Sequence, residues 1–368
     1  MLALSPELCG RIVELASNRR QDLLALCLTC KAFQREAEVR IYAQLIFTEP
    51  DKVLKACNTV INNERLAICV HTFWFNQDTR RSPPNLGQPF WSALQAALIV
   101  MPNLESLLLC DNSYANSWIL DNPRIQFRLR EAKLRLTWDH HLIRFLETQP
   151  TLRSLHLYDP VEEVITGVLS PNAVPDLQIF DGSLMIGIQF LPSNISHLQL
   201  IVDCDPDQFL DILARFGIVR KTLRSLSLLD IPEEGTLTAL KIISEVLPDL
   251  RYLGLVPYPV TNVSIFSSVS YNYIYSNETA QRHEFHKYLM GMHYLSSIEL
   301  DIGRWTPAPS APAGQRALAS ELKTFCPTIK IVVFWLGNTK VQWTFGDQWH
   351  SRVDVQQYPQ FSDAWCLA

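Results

Sequence analysis

Five groups of residues have side chains and spacings that could do chemistry. Cys27-x-x-Cys30 has the spacing of half a zinc site or of a dithiol redox pair. No second pair accompanies it, and the surrounding Leu23, Leu24, Leu26 and Leu28 place it inside an apolar helix, where two buried thiols are expected. His283-x-x-His286 with His293 could present imidazoles from one helix face. No carboxylate or cysteine completes a metal set there, so a solvated helix is expected. Asp203-Cys204-Asp205-Pro206-Asp207 imitates the start of a calcium loop, but Gln208 stands where that turn demands glycine, so Asp205 is expected to cap a helix. His140-His141 follows Asp139, a second N-cap candidate, and is expected on the outer side of a helix. Arg128, Arg130, Lys133 and Arg135 form the one basic run, which could meet an acidic or phosphorylated segment or lie as a solvated strand. No Walker loop, G-x-G-x-x-G or G-x-S-x-G occurs. Neither catalytic, cofactor nor metal residues emerge, and the chain is expected not to be an enzyme.

Composition narrows the class further. Of 368 residues, 48% are hydrophobic, which supplies a large core and excludes a disordered or collagen-like chain. Only 19% are charged and the net charge is −5, so the global balance does not suit nucleic acid, and the expected partner is protein. The nine cysteines are odd in number and without framework spacing, as in reduced thiols of the cytoplasm, the nucleus or both. Residues 1–8 do not read as a secretory signal, and no apolar run approaches the ~18–20 residues that cross a bilayer.

The elements that would carry these residues come from a repeated phrase: an apolar anchor, then apolar residues three and five positions later. It is clear at Leu104/Leu107/Leu109, Leu152/Leu155/Leu157, Ile195/Leu198/Leu200, Leu223/Leu226/Leu228, Leu250/Leu253/Leu255 and Leu295/Ile298/Leu300. It is weaker at Val70/Phe73/Phe75, Leu129/Ala132/Leu134, Leu177/Phe180/Gly182 and Ile329/Val332/Phe334. Pro102, Pro150, Pro175, Pro248 and Pro327 each stand two residues before an anchor, where a helix must stop and an extended segment begin. Helices with three- and four-residue apolar spacing precede them over 90–100, 139–148, 205–216, 236–247 and 317–325.

Each unit therefore reads as helix, turn and short strand, stacked into a parallel sheet with helices outside, the leucine-rich-repeat pattern. Within each strand the apolar pair points to the core, and the alternate residues point to an open concave face. That face is expected to bind a protein target through Trp74, Lys133, Arg135, His156, Tyr158, Asp181, His197, Gln199 and Tyr252, or to be ordinary solvated sheet. Ser225, Ser227, Leu229, Gly254 and Val256 fall on the same face. Residues 76–89 and 305–314 read as Pro-rich loops, and the stretch between Val256 and Arg282 as an insertion. Residues 330–336 and 341–345 around Gly337-Asn338 read as a β-hairpin that caps the array.

The first fifty residues differ. Ser5-Pro6-Glu7 is a helix start, Asp22 is expected to cap a second helix, and a third runs from about Lys31 to Tyr42. Leu4-Ser5-Pro6-Glu7-Leu8, Ile12, Leu15 and then 22–33, with Leu24, Leu28, Cys30 and Lys31, resemble an F-box, particularly those of fungal proteins that join an F-box to leucine-rich-like repeats. The resemblance covers about residues 2–45. It departs from the family where Ser5 interrupts the common Leu-Pro and where Thr29 replaces a frequent Val.

The resemblance implies a fold of three parts: an F-box over 1–48, an irregular α/β leucine-rich-repeat solenoid over 49–329 and the hairpin cap over 330–368. It also implies a function, the substrate-recognition subunit of an SCF-type ubiquitin ligase. Leu4, Pro6, Leu8, Ile12, Leu15, Leu24, Leu28, Cys30 and Lys31 would contact a Skp-type adaptor, and through it a cullin ligase. The repeats would hold an unidentified protein substrate, with neither nucleic acid nor membrane as partner. Leu15, Leu24 and Leu28 fit a simple three-helix core equally well. The alternative is a non-catalytic repeat scaffold whose first helices only cap the array.

Overall fold

The structure, a computed structural model, describes residues 5–16, 19–77, 85–158, 167–232, 235–257, 278–302, 309–336, 339–354 and 365–366. Leu4, the Gly337-Asn338 turn and most of the expected loops and insertion lie outside them. The chain divides into two compact units, Met1–Asp176 and Leu177–Ala368.

The first unit opens with helices α1 (Pro6–Ala16), α2 (Arg20–Cys27) and α3 (Lys31–Ala43). Ser5 caps α1 as expected, its hydroxyl accepting from the Leu8 N–H at 3.4 Å. Asp22 does not cap α2. Arg19 occupies that position without a side-chain bond, and Asp22 sits in the first turn, where its charge favours the helix dipole. The own core of the three helices is small: Val13, Leu23 and Ala37, with Leu26, Cys27, Phe33 and Ile41 packed on it. Cys30 is not buried in a helix; it is the exposed residue that enters α3.

Next come β1 (Gln44–Phe47), α4 (Pro50–Ile61), α5 (Glu64–Ala67), β2 (Thr72–Asn76), α6 (Gln88–Ile99), β3 (Ser106–Cys110), β4 (Glu131–Arg135), α7 (His140–Glu147) and β5 (Ser154–Leu157). Strands β1 to β5 pair in parallel in order of sequence, with Leu45, Phe73, Leu107, Ala132 and Leu155 in one row. Phe75 of β2 meets Phe90 of α6 at 5.4 Å between rings, so helix and sheet share one core. Asp139 caps α7, its carboxylate accepting from the His141 and Leu142 N–H groups.

The second unit comprises β6 (Ile179–Ser183), α8 (Leu184–Gly187), β7 (His197–Ile201), α9 (Pro206–Arg215), β8 (Ser225–Ile231), α10 (Thr236–Val246), β9 (Tyr252–Pro257), α11 (Glu278–Leu289), β10 (Ser297–Asp301), α12 (Pro312–Phe325), β11 (Ile331–Leu336), β12 (Thr339–Phe345) and β13 (Trp349–Asp354). Strands β6 to β11 are parallel and again in sequence order. Beyond them β11, β12 and β13 pair antiparallel. The described residues of both units thus form a mixed α/β architecture with mostly parallel strands. Asp230, in the left-handed region at φ 57°, makes a bulge in β8.

Every anchor of the repeated phrase, from Val70 to Ile329, is buried. After the anchors Val70, Leu104, Leu129, Leu177, Ile195, Leu223, Leu250 and Leu295, the next residue supplies a carbonyl that accepts from two successive N–H groups at the start of the next strand. Glu105 and Ser106 donate to His71 at 2.8 and 3.0 Å, Arg224 and Ser225 to Ser196 at 2.8 and 3.1 Å, and Lys330 and Ile331 to Ser296 at 2.7 and 3.1 Å.

Gly254 of β9 is required by close approach rather than by a turn. A Cβ there would lie 2.8 Å from the Ser227 hydroxyl and 3.3 Å from the Ser227 Cα on the adjacent strand. Gly254→Ala should cost about 1–3 kcal/mol in urea unfolding, as overpacking does. Adding Ser227→Ala should recover part of that loss; no recovery, or no loss at all, means the contact is slack.

Candidate functional site

Helix α1 carries two apolar stripes. Cys9 and Val13 turn inward, whereas Leu8, Ile12 and Leu15 lie about 110° further round at ~100° per residue and face out. Leu8 is 54% exposed and Leu15 70%. Helix α2 repeats the division: Leu23 and Cys27 pack inward, and Leu24 and Leu28, four residues apart, are exposed, Leu28 to 89%. Cys30 and Lys31 follow, both exposed. The backbone of Pro6 begins α1. Leu15, Leu24 and Leu28 are therefore not the core of the three helices, the alternative the sequence left open for them, and Leu8 and Ile12 lie outside it as well.

The third helix behaves differently. Glu38 of α3 pairs with Arg65 of α5 and accepts from Gln34 at 2.8 Å, and the His71 N–H donates to the Ala43 carbonyl at 3.0 Å. Burial alone would raise the Glu38 pKa, but these bonds outweigh it and hold the carboxyl below its usual range. Together with β1 on β2, they tie α3 to the first repeat and leave α1 and α2 with their leucines uncovered.

A second surface lies on the strand positions that alternate with the core in the first unit. Trp74, Lys133, Arg135 and Tyr158 are half-buried there. The Trp74 indole donates to Ser106 Oγ at 3.0 Å, and Ser106 donates to Glu131 at 2.9 Å. Lys133 binds the other Glu131 oxygen at 3.1 Å and stands 5.9 Å from the Trp74 ring centre. Arg135 Nε donates to the Tyr114 hydroxyl at 2.8 Å, its guanidinium 4.8 Å from that ring, and Nη1 reaches Asn112 Oδ1 at 3.4 Å.

Tyr114 itself has φ 60°, a conformation that costs a bulky residue on the order of 1–3 kcal/mol. Asp111 holds it there. Its buried carboxylate accepts from the Ser113 N–H at 2.9 Å, the Ser113 hydroxyl at 2.7 Å, the Asn116 N–H at 3.1 Å and the Asn116 amide at 2.9 Å. No periodicity announces this loop, although Asp-Asn-Ser-Tyr-Ala-Asn is rich in residues that build such turns.

The equivalent positions were expected to be open along the whole sheet, but in the second unit they are buried. Asp181 accepts from Gln199 at 3.1 Å, both buried, and of the expected residues there only His197 is half-exposed. His156, at the end of the first unit, is already buried beside Ser154. Leu229 and Val256 pack with Trp335 and Ile201 in an apolar cluster of their own.

Beside it Glu299, only 3% exposed, accepts from the Tyr252 hydroxyl, from the Trp335 indole at 2.6 Å and from Lys340 at 3.3 Å. Lys340 stands 5.3 Å from the Trp335 ring centre. Glu299 has Gly254 and Val333 beside it in the register, so its donors come from the flanking rows. Burial, then the Glu299 charge and hydrogen bond, then Cys366 push the Tyr252 phenol well above its usual range. Trp365, next to Cys366 in the sequence, is buried.

The remaining motifs resolve into structure. Asp205 caps α9, accepting from the Gln208 N–H at 2.9 Å, and Asp203 accepts from Ser183 and from the Met185 N–H at 3.2 Å. His283 and His293 are exposed, but His286 is buried and stacked on Phe325 at 4.2 Å, contrary to a solvated helix. Burial lowers its pKa against the pull of Glu321, with Arg282 and His283 adding to the lowering. His141 is half-buried on Asp121 at 2.6 Å rather than outside. Among the described residues no group of three or more His, Cys, Asp or Glu side chains is placed to hold a metal, and no helix is long and apolar enough to cross a membrane. A shallow cleft between α12 and the β12–β13 pair, lined by Arg316, Trp343, Trp349 and His350, carried no sequence signal.

Glu299→Ala removes the acceptor shared by the buried Tyr252, Trp335 and Lys340 and should cost about 3–5 kcal/mol in urea unfolding. Glu299→Leu combined with Lys340→Met should cost clearly less than the sum of the single changes, because no charge is left alone; additive losses would mean the pair is not coupled. No family model matches the chain, and no curated protein is significantly similar to it.

Proposed function

We propose that the chain is the target-recognition subunit of an SCF-type ubiquitin ligase. In this reading the three N-terminal helices act as an F-box for a Skp-type adaptor. The strand–helix units form a leucine-rich-type solenoid that holds a protein target, with the antiparallel strands as its terminal cap. The observation that carries the reading is the uncovered row of Leu8, Ile12, Leu15, Leu24 and Leu28 beside a three-residue core. Fully covering one such side chain stabilises by roughly 1.5–3 kcal/mol, so five together can outweigh the entropy of holding two proteins in one place. Cys30 and Lys31 extend that face toward α3.

No bond is made or broken by the chain in this role. It brings a target lysine near the ligase's charged conjugating enzyme and so raises its effective concentration. The compartment proposed is the cytoplasm, the nucleus or both. The docking of α3 through Glu38 and Arg65 favours a second reading, in which the helices cap the array. That reading accounts for α3 but leaves the leucines of α1 and α2 without a purpose.

Leu8→Asp with Leu15→Asp should abolish co-purification with a Skp-type adaptor, while moving the thermal midpoint by less than about 2 °C, since both positions are exposed. Val13→Asp should instead unfold the three helices. Adaptor binding that survives the double substitution refutes the reading and leaves the capping role.

A further inference from the structure

We propose that Arg135, supported by Lys133, forms an oxyanion subsite on the strand face of the first unit, taking the carboxylate or phosphate side chain of an extended protein segment. This deepens the target-binding half of the function above and rests on it for the partner being a protein. Arg135 has two polar partners among the described residues, both neutral: the Tyr114 hydroxyl at 2.8 Å and Asn112 Oδ1 at 3.4 Å. Its Nη2 donors have none. The neighbouring carboxylates are committed elsewhere, Glu131 to Ser106 and Lys133, and Asp111 to Ser113 and Asn116.

A guanidinium presents a planar fork of donors that matches an oxyanion in two places at once, and it loses least freedom when already oriented. Here the orientation is built in. The Tyr114 ring stacks on Arg135 at 4.8 Å, and Tyr114 is held at φ 60° by a loop whose ends are tied. The Tyr114 N–H donates to the Asp111 carbonyl at 3.2 Å, and the Tyr114 carbonyl accepts from the Thr137 N–H at 3.0 Å. A strained aromatic that over-determines one cation points to a binding function for that cation.

Charge agrees with this. Lys133 lies two residues away on the same face, half-buried, so that β4 presents two cations and one carboxylate in a chain of net charge −5. The register places Trp74, Leu108 and Lys133 in one row and Asn76, Cys110 and Arg135 in the next. An extended segment crossing these rows would set its acidic side chain on Arg135 and its neighbours against Trp74 and Leu108.

The test uses the full chain labelled with 15N and titrated with three capped pentapeptides, Gly-Ala-X-Ala-Gly, in which X is glutamate, phosphoserine or serine. The Arg135 Nε–H signal is identified by its loss in Arg135→Lys. It is expected to shift saturably with the glutamate and phosphoserine peptides and not with the serine peptide, more weakly at high salt. A phosphoserine affinity more than tenfold above that of glutamate assigns the site to phosphate, and the reverse order assigns it to carboxylate. The Trp74 indole signal should follow the same titration in the parent and lose it in Arg135→Gln, with Arg135→Lys at least tenfold weaker than the parent and an unchanged unfolding midpoint as the control for folding.

Equal response to serine, an unchanged titration in Arg135→Gln, or no shift at millimolar peptide each overturn the proposal. Adaptor capture is read separately. Leu8→Asp with Leu15→Asp should leave the peptide titration intact, so a failed adaptor assay removes the ligase role and a failed titration removes the subsite alone.

Discussion

Most strands of the parallel runs are tied at their start to the one before by one backbone oxygen that accepts twice, in addition to the bonds of the ladder. The carbonyl that follows a buried anchor accepts from two consecutive N–H groups of the next unit, so the anchor's depth in the core sets the register of the following strand. Because successive side chains in a strand alternate faces, a slip of one residue would turn every Leu-x-Leu pair outward. The turns at Pro102, Pro150, Pro248 and Pro327 serve the same end by stopping the helix four or five residues before the anchor. From this constraint comes the placement of everything else, including which residues share a row on the opposite face.

That opposite face is used in two ways. In the first unit it stays half-open, with Arg135, Lys133 and Trp74 held by short-range partners. In the second it closes over Glu299, whose negative charge is satisfied by Tyr252, Trp335 and Lys340 and is flanked by Leu229 and Val256. A buried carboxylate with three donors fixes its neighbours in one arrangement, because any looser packing leaves a charge unpaired at a cost of several kcal/mol. The first three helices stand at the other extreme. Val13, Leu23 and Ala37 make a core too small to hide Leu8, Leu15, Leu24 and Leu28 as well.

Much of this was legible in the amino-acid order, and the reasons for the rest are physical. The anchors and their strands follow from a three-and-five spacing that survives insertions, and Asp139 and Asp205 announce their helices because a cap is a local interaction. Strand β1 carries no such mark although Tyr42/Leu45/Phe47 obeys the same spacing, since it runs straight on from α3 with no proline between. Strand β13 is not legible, because Trp349–Asp354 has no alternating pattern. The closing of the second face could not be read at all. Glu299 finds its indole 36 residues away and its phenol 47 away, and no periodicity records such a meeting. The exposed leucines were legible as leucines; only the packing of Val13 and Leu23 showed which of them were left out.

The dependence of α3 on β2 bears on how the molecule is made. On the ribosome α1 to α3 emerge before α5 and β2, but their own core buries only a few side chains and gives them little independent persistence. Gln44–Phe47 gains its partner once Thr72–Asn76 has been synthesised, and Glu38 gains its partner once Arg65 has. Until then Leu45, which the finished sheet buries, is presented together with the leucines of α1 and α2, which stay exposed afterwards. The stretch of translation between residues 16 and 76 is thus a period in which the growing chain shows more apolar surface to chaperones than the finished fold does.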